Sequence, residues 1–292
     1  MIASVVIPTT GDRAALLAHS VDSVLAQTVS DLEVLVIGDG AGDGTRAWAE
    51  TADPRVRFFD FPKDESRGEP NRHRVLSDEA RGDLVLYLCD RDLWLRDHVA
   101  EMQRVLVDAD FGHTLRFAID EDDRLRLHHT LDLRDDRDRA RAWYSTNVLP
   151  LSMAGHTMAA YRALPHGWRR TPPDRPTDRH MWVQFLDQPG IRVASSAWPT
   201  VLTFPRPRDW AVTRRLEVQE RWALRLSDPV LGPELARAAL EATTREGSDL
   251  LRDVAEARSS RLGGWARGWM PDGLYRQVRQ PGRRLRRWVR AG

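Results

Sequence analysis

Short apolar runs alternate with segments that have apolar residues at helical spacing over the first third of the chain. The clearest run, 84–88, is almost wholly apolar and lies between a Gly-Asp turn signal and a group of acids, which is typical of a strand buried on both faces. Strands are predicted at 4–7, 32–37, 56–59 and 84–88, with helices at 12–27, 46–50, 69–80 and 97–107. This alternation predicts an α/β fold with helices flanking a mostly parallel sheet.

The pattern changes after the fourth strand. Hairpin strands are predicted at 111–119 and 125–133, and helices at 134–143, from Thr177 or Asp178 onward, at 213–226 and at 233–257. The hairpin would add antiparallel strands to the sheet. We therefore predict one large domain, 1–205, followed by a C-terminal helical extension, 206–292.

Composition narrows the class of protein. The chain has 292 residues, of which 41% are hydrophobic and 30% charged, values typical of a globular protein with a full core. No apolar run reaches the length of a membrane span, and the N-terminus lacks the pattern of a signal peptide. Cys89 is the single cysteine, which excludes an internal disulfide. Together these features predict a cytoplasmic protein.

Charge is distributed unevenly along the chain. From Arg258 onward there are ten arginines and one acid, Asp272, a net charge of +9, so the preceding residues carry −8 of the total of +1. Tryptophans are interleaved with these arginines, which suits an interfacial helix on an anionic membrane. Such a tail could equally bind nucleic acid. However, no nucleic-acid-binding fold is recognisable, and nucleic acid is not expected as a partner. The remaining alternative is a helical tail that packs on the acidic body.

Two carboxylates, Asp90 and Asp92, follow the run at 84–88. Side chains at i and i+2 of an extended backbone point the same way, and ligands of open α/β sheets bind at the carboxyl ends of the strands. Paired carboxylates suit a hard divalent cation that is also held by substrate phosphates. A solvated acidic loop that caps the next helix is the simpler alternative.

A glycine-rich turn follows the second predicted strand and contains Asp39, which could accept hydrogen bonds from a base or a ribose. The dinucleotide-binding motif instead opens the first strand–helix unit, where this chain has Pro-Thr-Thr-Gly-Asp. A nicotinamide-dependent dehydrogenase is therefore disfavoured. A plain turn leading into a helix is the alternative.

Five segments in order resemble inverting family 2 glycosyltransferases of the GT-A fold. They are Ser-Val-Val-Ile-Pro-Thr at 4–9, Leu-Val-Ile-Gly-Asp-Gly at 35–40, Asn-Arg at 71–72, Glu-Ala-Arg-Gly-Asp-Leu-Val-Leu-Tyr-Leu-Cys-Asp-Arg-Asp at 79–92, and Asp-Arg-His-Met-Trp at 178–182. The resemblance covers 1 to about 205 and implies a Rossmann-like, mostly parallel sheet that binds a nucleotide-diphosphate sugar.

The resemblance also implies roles for individual residues. Pro8, Thr9 and Asp39 would line the nucleotide base, with Arg72 or Arg74 nearby; Asp90 and Asp92 would hold Mg²⁺ or Mn²⁺ on the donor diphosphate, Asp178 would be the catalytic base, and Trp168 would shape the sugar and acceptor pockets. His180 and His156 are the next candidates for the base. These roles agree with the chemistry, since a diphosphate leaving group needs a cation and a single displacement needs one proton acceptor.

This chain departs from the family pattern at two positions. Gly38 replaces the first acid of the usual Asp-Asp-Gly-Ser turn, which would weaken or redirect contacts to the base. Arg91 lies between the two acids, where relatives often have a further acid, and it could pair with either of them and lower the affinity for a metal.

We predict a metal-dependent, inverting glycosyltransferase that moves a sugar from a nucleotide-diphosphate donor to an unknown glycan, lipid-linked or small-molecule acceptor. If the basic tail binds an anionic membrane, the enzyme would lie near a lipid-linked or cell-envelope acceptor. A nucleotidyltransferase is the first alternative, although the loop at 8–13 lacks the glycine-rich, basic sequence expected for a triphosphate. A relative that binds nucleotide sugars without turnover is the second, supported by Gly38 and Arg91.

Overall fold

The computed structural model describes residues 1–120, 123–127, 131–144, 148–204 and 212–226, together with Asp228 and Leu235. The first part contains β1 (Ala3–Gly11), α1 (Ala14–Leu25), β2 (Leu32–Ala41), α2 (Asp43–Glu50), β3 (Val56–Phe61), α3 (Glu69–Asp78), β4 (Leu84–Tyr87), β5 (Leu93–Trp94) and α4 (His98–Leu106). The second contains β6 (Phe111–Ile119), β7 (Leu125–Leu127), α5 (Asp136–Tyr144), a 3-10 turn (Leu151–Met153), β8 (Ala154–Thr157), α6 (Met158–Arg162), α7 (Thr177–Leu186), β9 (Val193–Thr203) and α8 (Val212–Leu226).

The described strands form one mixed sheet in the order β3-β2-β1-β4-β8-β6-β9-β5, with β7 paired to β6. The pairs β3–β2, β2–β1 and β1–β4 are parallel, as the alternation of strands and helices predicts. Antiparallel pairing begins at β8, which lies between β4 and β6. Because β1, β2 and β4 are parallel, their carboxyl ends meet at one edge of the sheet. The α/β prediction is confirmed.

Apolar side chains on both faces of the central strands make the main core. β1, β2 and β4 are buried along most of their length, and α1 covers them with the face that carries Leu17, Val21 and Val24. These strands are continuous apolar runs because helices cover both faces of a parallel sheet. The core thus fixes the positions of the strand ends at which the polar residues follow.

Several elements have different bounds from those predicted. β1 continues through Pro8 to Gly11, beyond the predicted end of that strand. Its pairing with β4 stops at Tyr87, so among the described strands only β2 pairs with Pro8, and a strand position with one neighbour tolerates proline. The second hairpin strand, predicted at 125–133, is only Leu125–Leu127 in the described part of the chain.

The C-terminal helix α8 packs on the sheet and on α1. The Gln219 amide nitrogen donates hydrogen bonds to the Leu16 carbonyl (3.1 Å) and the Ser20 hydroxyl (3.2 Å). Trp222 is buried in a second apolar cluster with Leu93 and Phe117.

The division of the chain into domains at 205/206 stays a prediction. The predicted helix at 233–257 (Leu235 excepted) and the basic tail lie outside the described residues. Among the described helices, none combines the length and apolarity that crossing a membrane requires.

Candidate active site

A cavity of about 740 Å³ opens at the edge where β1, β2 and β4 end. It brings together seven of the nine predicted site residues: Pro8, Thr9, Asp39, Arg72, Asp90, Asp92 and Asp178. The start of α3, the start of α7 and the end of β9 complete its wall. The location agrees with the rule that α/β sheets bind ligands beyond the carboxyl ends of their strands.

The two acids after β4 lie on a tight turn. The backbone N–H groups of Arg91 and Asp92 both donate to the Cys89 carbonyl, at 2.7 and 3.0 Å. The extended backbone that we predicted here is therefore wrong, although both carboxylates still face the same cavity. Burial raises the pKa of the Cys89 thiol to about 12, so this residue has none of the thiolate character of a nucleophile.

Asp90 is held by groups from β1 and from the start of α1. The Thr9 hydroxyl donates to Oδ2 at 3.0 Å, and Arg13 Nη1 donates to both carboxylate oxygens, at 3.0 and 3.3 Å. Arg91 Nη1 lies 3.8 Å from Oδ1. The residue is only 2% exposed, so these cations offset the cost of burying its charge. Arg13 was not among the predicted site residues, and its only signal in the sequence is a basic residue at the start of the helix after the first strand.

Asp92 is held by the other side of the cavity. The Ser152 hydroxyl, on the 3-10 turn, donates to Oδ2 at 2.6 Å, and the Phe204 backbone N–H lies 3.4 Å from Oδ1. Ser152 also accepts from the Cys89 backbone N–H at 3.1 Å. Burial lowers the pKa of the nearby Arg116, and the Asp92 charge opposes that shift. Asp92 is thus fixed in direction, and no cation among the described residues forms an ion pair with it.

The donor atoms fit a hard divalent cation that shares its coordination with a substrate. Asp90 and Asp92 supply carboxylate oxygens, the ligands that Mg²⁺ and Mn²⁺ prefer. No group of three or more His, Cys, Asp or Glu side chains in the described part of the chain is arranged to hold a metal alone. The acids therefore suit an ion that takes its other ligands from donor phosphates and water.

Asp39 lies at the cavity but its carboxylate already has protein partners. Oδ1 accepts from the Asp64 backbone N–H at 2.6 Å, and the Lys63 ammonium pairs with Oδ2. Gly68 has φ +70°, and a Cβ there would lie 3.0 Å from the Asp39 side chain, so a glycine permits this approach. At Gly38 a Cβ would lie 3.1 Å from the Phe58 ring. A side chain at position 38 would therefore require the Phe58 ring to shift by a few tenths of an ångström.

Asp178 lies in the first turn of α7 on the wall of the cavity. Its Oδ2 accepts from the Leu151 backbone N–H at 3.1 Å. The two alternative bases do not line the cavity. Burial lowers the pKa of His180, and that of His156 falls to about 3 because the ring is fully buried against Tyr87. Of the three candidates, Asp178 alone has access to a ligand in this space.

Arg72, Trp168 and Arg74 differ in their relation to the cavity: only the first of them lines it. Arg72 is buried and lines the cavity, with its guanidinium 4.9 Å from the Trp168 ring centre. Trp168 does not line it: the indole is buried and donates to the Tyr87 hydroxyl at 3.0 Å. Arg74 is exposed and lies over the Phe61 ring, outside the cavity lining. Of the two arginines predicted near the base, Arg72 is therefore the one that lines the cavity, and the Trp168 ring packs against its guanidinium.

The described wall of the cavity carries more cations than anions. Its basic residues are Arg13, Lys63, Arg67, Arg72, Arg91 and Arg116, and its acids are Asp39, Asp90, Asp92 and Asp178. Burial alone would lower the pKa of Arg91, but the surrounding Cys89, Asp92, Asp90 and Asp178 raise it. A wall with this excess of arginine suits phosphate groups, which guanidinium binds with two parallel hydrogen bonds.

Comparison with known proteins gives two kinds of match. A family model described as "Glycosyl transferase family 2" matches residues 4–163. S. aureus TarS 1-349 in complex with UDP-GlcNAc is similar in structure, with a TM-score of 0.56 and 14% sequence identity over 75% of this chain and 66% of that chain. The mannosyltransferase PcManGT from Pyrobaculum calidifontis, in complex with GDP-Man and Mn²⁺, gives a TM-score of 0.51 and 21% identity over 94% of this chain and 82% of that chain.

The chain covers a limited part of the TarS structures. It spans 60% of a further S. aureus TarS 1-349 structure, with a TM-score of 0.55 and 13% identity over 70% of this chain. At these identities the structural likeness shows a shared fold.

Proposed function

The chain belongs to glycosyl transferase family 2, and on that premise we propose that it moves a sugar from a nucleotide-diphosphate donor to an acceptor, with inversion and with a divalent cation. One observation carries the proposal. A single cavity at the carboxyl ends of the parallel strands contains the acid pair, a wall rich in arginine, and Asp178. These are the groups that a diphosphate leaving group and an attacking hydroxyl require.

In the proposed complex, the donor diphosphate lies against the acid pair. Asp90 and Asp92 hold Mg²⁺ or Mn²⁺, which when bound supplies positive charge for the leaving diphosphate. Arg13 and Thr9 keep the Asp90 carboxylate in place, and Ser152 does the same for Asp92. Pro8, Thr9 and Asp39 lie at the ends of β1 and β2, where a base and ribose would be bound.

The acceptor reaches the sugar from the side of α7. Inversion by one displacement requires a proton acceptor opposite the leaving group, and the Asp178 carboxylate takes the hydroxyl proton. Its hydrogen bond from Leu151 fixes the direction of the carboxylate before the acceptor arrives. Such preorientation is a recurrent source of rate enhancement.

Two structural neighbours indicate the class of donor. TarS 1-349 was solved with UDP-GlcNAc, and PcManGT with GDP-Man and Mn²⁺. We infer a nucleotide-diphosphate sugar for this chain, with the base and the sugar left to experiment. The acceptor is a glycan, a lipid-linked molecule or a small molecule, and the basic tail favours one at an anionic membrane or in the cell envelope.

The test is a titration of the full chain with UDP and GDP, with and without Mn²⁺, followed by an assay of donor hydrolysis. A glycosyltransferase is expected to bind a diphosphate more tightly with Mn²⁺ and to hydrolyse the matching nucleotide sugar slowly when no acceptor is present. Metal-dependent binding with no hydrolysis or transfer would favour a binding protein. Preference for a nucleoside triphosphate would favour the nucleotidyltransferase, and no nucleotide binding would refute the proposal.

A further inference from the structure

Arg72 is a buried charge for which the described residues provide no counter-ion. Its side chain lies in the second turn of α3 and lines the cavity, yet the residue is only 7% exposed. No carboxylate of the described chain lies within salt-bridge distance of the guanidinium, and its Nε has no hydrogen-bond partner there. Its polar contact is one hydrogen bond, from Nη2 to the Arg67 carbonyl at 2.7 Å.

These contacts do not neutralise the charge. A guanidinium stays protonated in proteins, and a buried ion is costly unless an ion of opposite charge accompanies it. A carbonyl and the face of Trp168 supply only partial charges. Burial lowers the pKa of Arg72, although Asp178 and Glu69 act against that shift from a distance. The arrangement is therefore incomplete without an anion from a ligand.

The position of Arg72 identifies which part of a ligand it would meet. Arg72, Cys89 and Asp178 line the same cavity, and Asp178 is the carboxylate that most opposes the lowering of the Arg72 pKa by burial. The cations that pair with Asp90 are other residues: Arg13 at 3.0 Å and Arg91 at 3.8 Å. Arg72 is thus associated with the candidate base, where sugar and acceptor would meet, rather than with the groups that hold Asp90.

We propose that Arg72 binds a carboxylate or phosphate carried by the transferred sugar or by the acceptor, next to Asp178. The proposal rests on the proposed function for its substrates. It makes Arg72 a specificity residue. A neutral substrate would leave the guanidinium buried without a counter-ion, whereas an anionic substrate would supply that counter-ion.

The experiment has two arms that separate the sources of the anion. In the donor arm, the nucleotide that binds is used to compare a neutral donor with its uronate, such as UDP-glucose with UDP-glucuronate or GDP-mannose with GDP-mannuronate. In the acceptor arm, glycerol 3-phosphate is compared with glycerol, with and without the nucleotide. Both arms are measured by isothermal titration calorimetry on the full chain, as wild type, Arg72→Met, Arg72→Lys and Arg137→Gln. Arg137 is exposed on α5 and serves as the control for loss of one positive charge.

The wild type is expected to prefer the anionic member by about tenfold or more in one arm, the usual worth of a hydrogen bond to a charged group. Arg72→Met should reduce that preference to about twofold or less, and Arg72→Lys should retain part of it because the charge remains. Arg137→Gln should behave as wild type. The donor arm assigns the anion to the sugar, and the acceptor arm assigns it to the acceptor.

Two outcomes would overturn the proposal. In the first, the wild type shows no preference for the anionic ligand in either arm. In the second, Arg72→Met weakens the binding of UDP or GDP by the same factor as that of the anionic ligand, which would assign Arg72 to the diphosphate. If no nucleotide binds, the proposed function fails. The comparison of glycerol 3-phosphate with glycerol in the absence of nucleotide then still tests whether Arg72 binds an anion.

Thermal unfolding adds a structural readout. Removing an uncompensated charge should leave the ligand-free Tm of Arg72→Met no lower than that of the wild type. A lower Tm with unchanged discrimination would give Arg72 a purely structural role and reject the proposal.

Discussion

At the scale of single residues, Asp92 is a sharper test of the metal than Asp90, because no cation in the described part of the chain forms an ion pair with it. We expect Asp92→Asn to abolish Mn²⁺-dependent nucleotide binding while the protein stays folded, since asparagine keeps the size of the side chain and can still accept from Ser152. Calorimetric titration of the nucleotide with and without Mn²⁺ measures this.

Asp83→Asn is the matched control, because Asp83 is exposed and directly precedes β4, whereas Asp92 follows the opposite end of the strand. The control should bind as the wild type does. Undiminished Mn²⁺-dependent binding by Asp92→Asn would remove Asp92 from the metal site.

Asp178→Asn separates binding from proton transfer. The amide can still accept from Leu151 but cannot take a proton at neutral pH. Donor affinity should survive while turnover falls by roughly two to four orders of magnitude, the usual contribution of a general base. The measurements are donor binding and transfer, or donor hydrolysis until an acceptor is known. Asp174→Asn, an exposed neighbour, is the control, and near-normal turnover of Asp178→Asn would place the base elsewhere.

His98 makes stability depend on pH. Burial lowers its pKa to about 3, so the unfolded chain takes up the proton first as pH falls. The stabilisation by the neutral form is fully present above the unfolded value of about 6.5 and is lost as pH falls from there toward 3. His98→Asn keeps a partner for Thr200, which bonds His98 Nδ1 at 2.7 Å.

Urea unfolding at pH 7.5 and 5.5 measures this effect. The wild type should lose about 1.4 kcal/mol more unfolding free energy between the two pH values than His98→Asn does. Other buried histidines, His113 and His156, act in both proteins and cancel in the difference. Equal losses in the two proteins would contradict the prediction.

Some of the residue-scale geometry was accessible from the sequence. The acid pair, Asp39 and Asp178 follow or begin elements with clear signals, and the structure brings them to one cavity. Arg72 and Arg74 could not be separated, because residues two apart on a helix point to nearly opposite faces and the sequence does not say which face meets the cavity. The roles of all these residues in binding and catalysis stay predictions.

At the scale of elements, α8 is the segment whose contribution to the described body can be measured directly. Trp222 is almost fully buried, and its indole N–H donates to Asp123 Oδ1 at 2.6 Å. We expect Trp222→Ala to lower the unfolding free energy by about 3–5 kcal/mol, the typical cost of removing a buried aromatic side chain. Chemical denaturation measures the loss, and donor affinity should persist because Trp222 does not line the active-site cavity.

Leu224→Ala provides the control on the same helix, since Leu224 is 70% exposed. Its effect should stay within about 0.5 kcal/mol. If Trp222→Ala were as mild as Leu224→Ala, the packing of α8 would be dispensable and the predicted domain end near 205 would gain support.

Element types were easier to predict than their ends. The apolar runs and helical spacing identified the parallel strands and their helices, and the GT-A type of α/β fold is confirmed by the family match and the structural neighbours. The turn at Arg91 was missed because alternation of two acids is the same in a turn as in a strand. The pairing of β8 between β4 and β6 was also inaccessible, since it depends on long-range contacts.

At the scale of the whole molecule, the uneven charge is the feature that the described residues do not account for. The segment from Arg258 onward carries +9 and the rest of the chain −8. We predict that this tail binds anionic membranes reversibly, which would bring the enzyme close to a lipid-linked or envelope acceptor. Each basic residue near an anionic surface contributes about 1 kcal/mol, so even half of them would give useful affinity. The attraction should weaken as salt shortens the Debye length.

Co-sedimentation of the full chain and of 1–257 with anionic and neutral vesicles measures the contribution of the tail. The full chain should sediment with anionic vesicles at low salt and be released as ionic strength rises, while 1–257 should stay in solution. Neutral vesicles should recruit neither protein, because the attraction is electrostatic. A tail that packs on the acidic body would have its charges already paired. Negligible binding of both proteins to anionic vesicles at low salt would therefore reject the membrane prediction in favour of that packing.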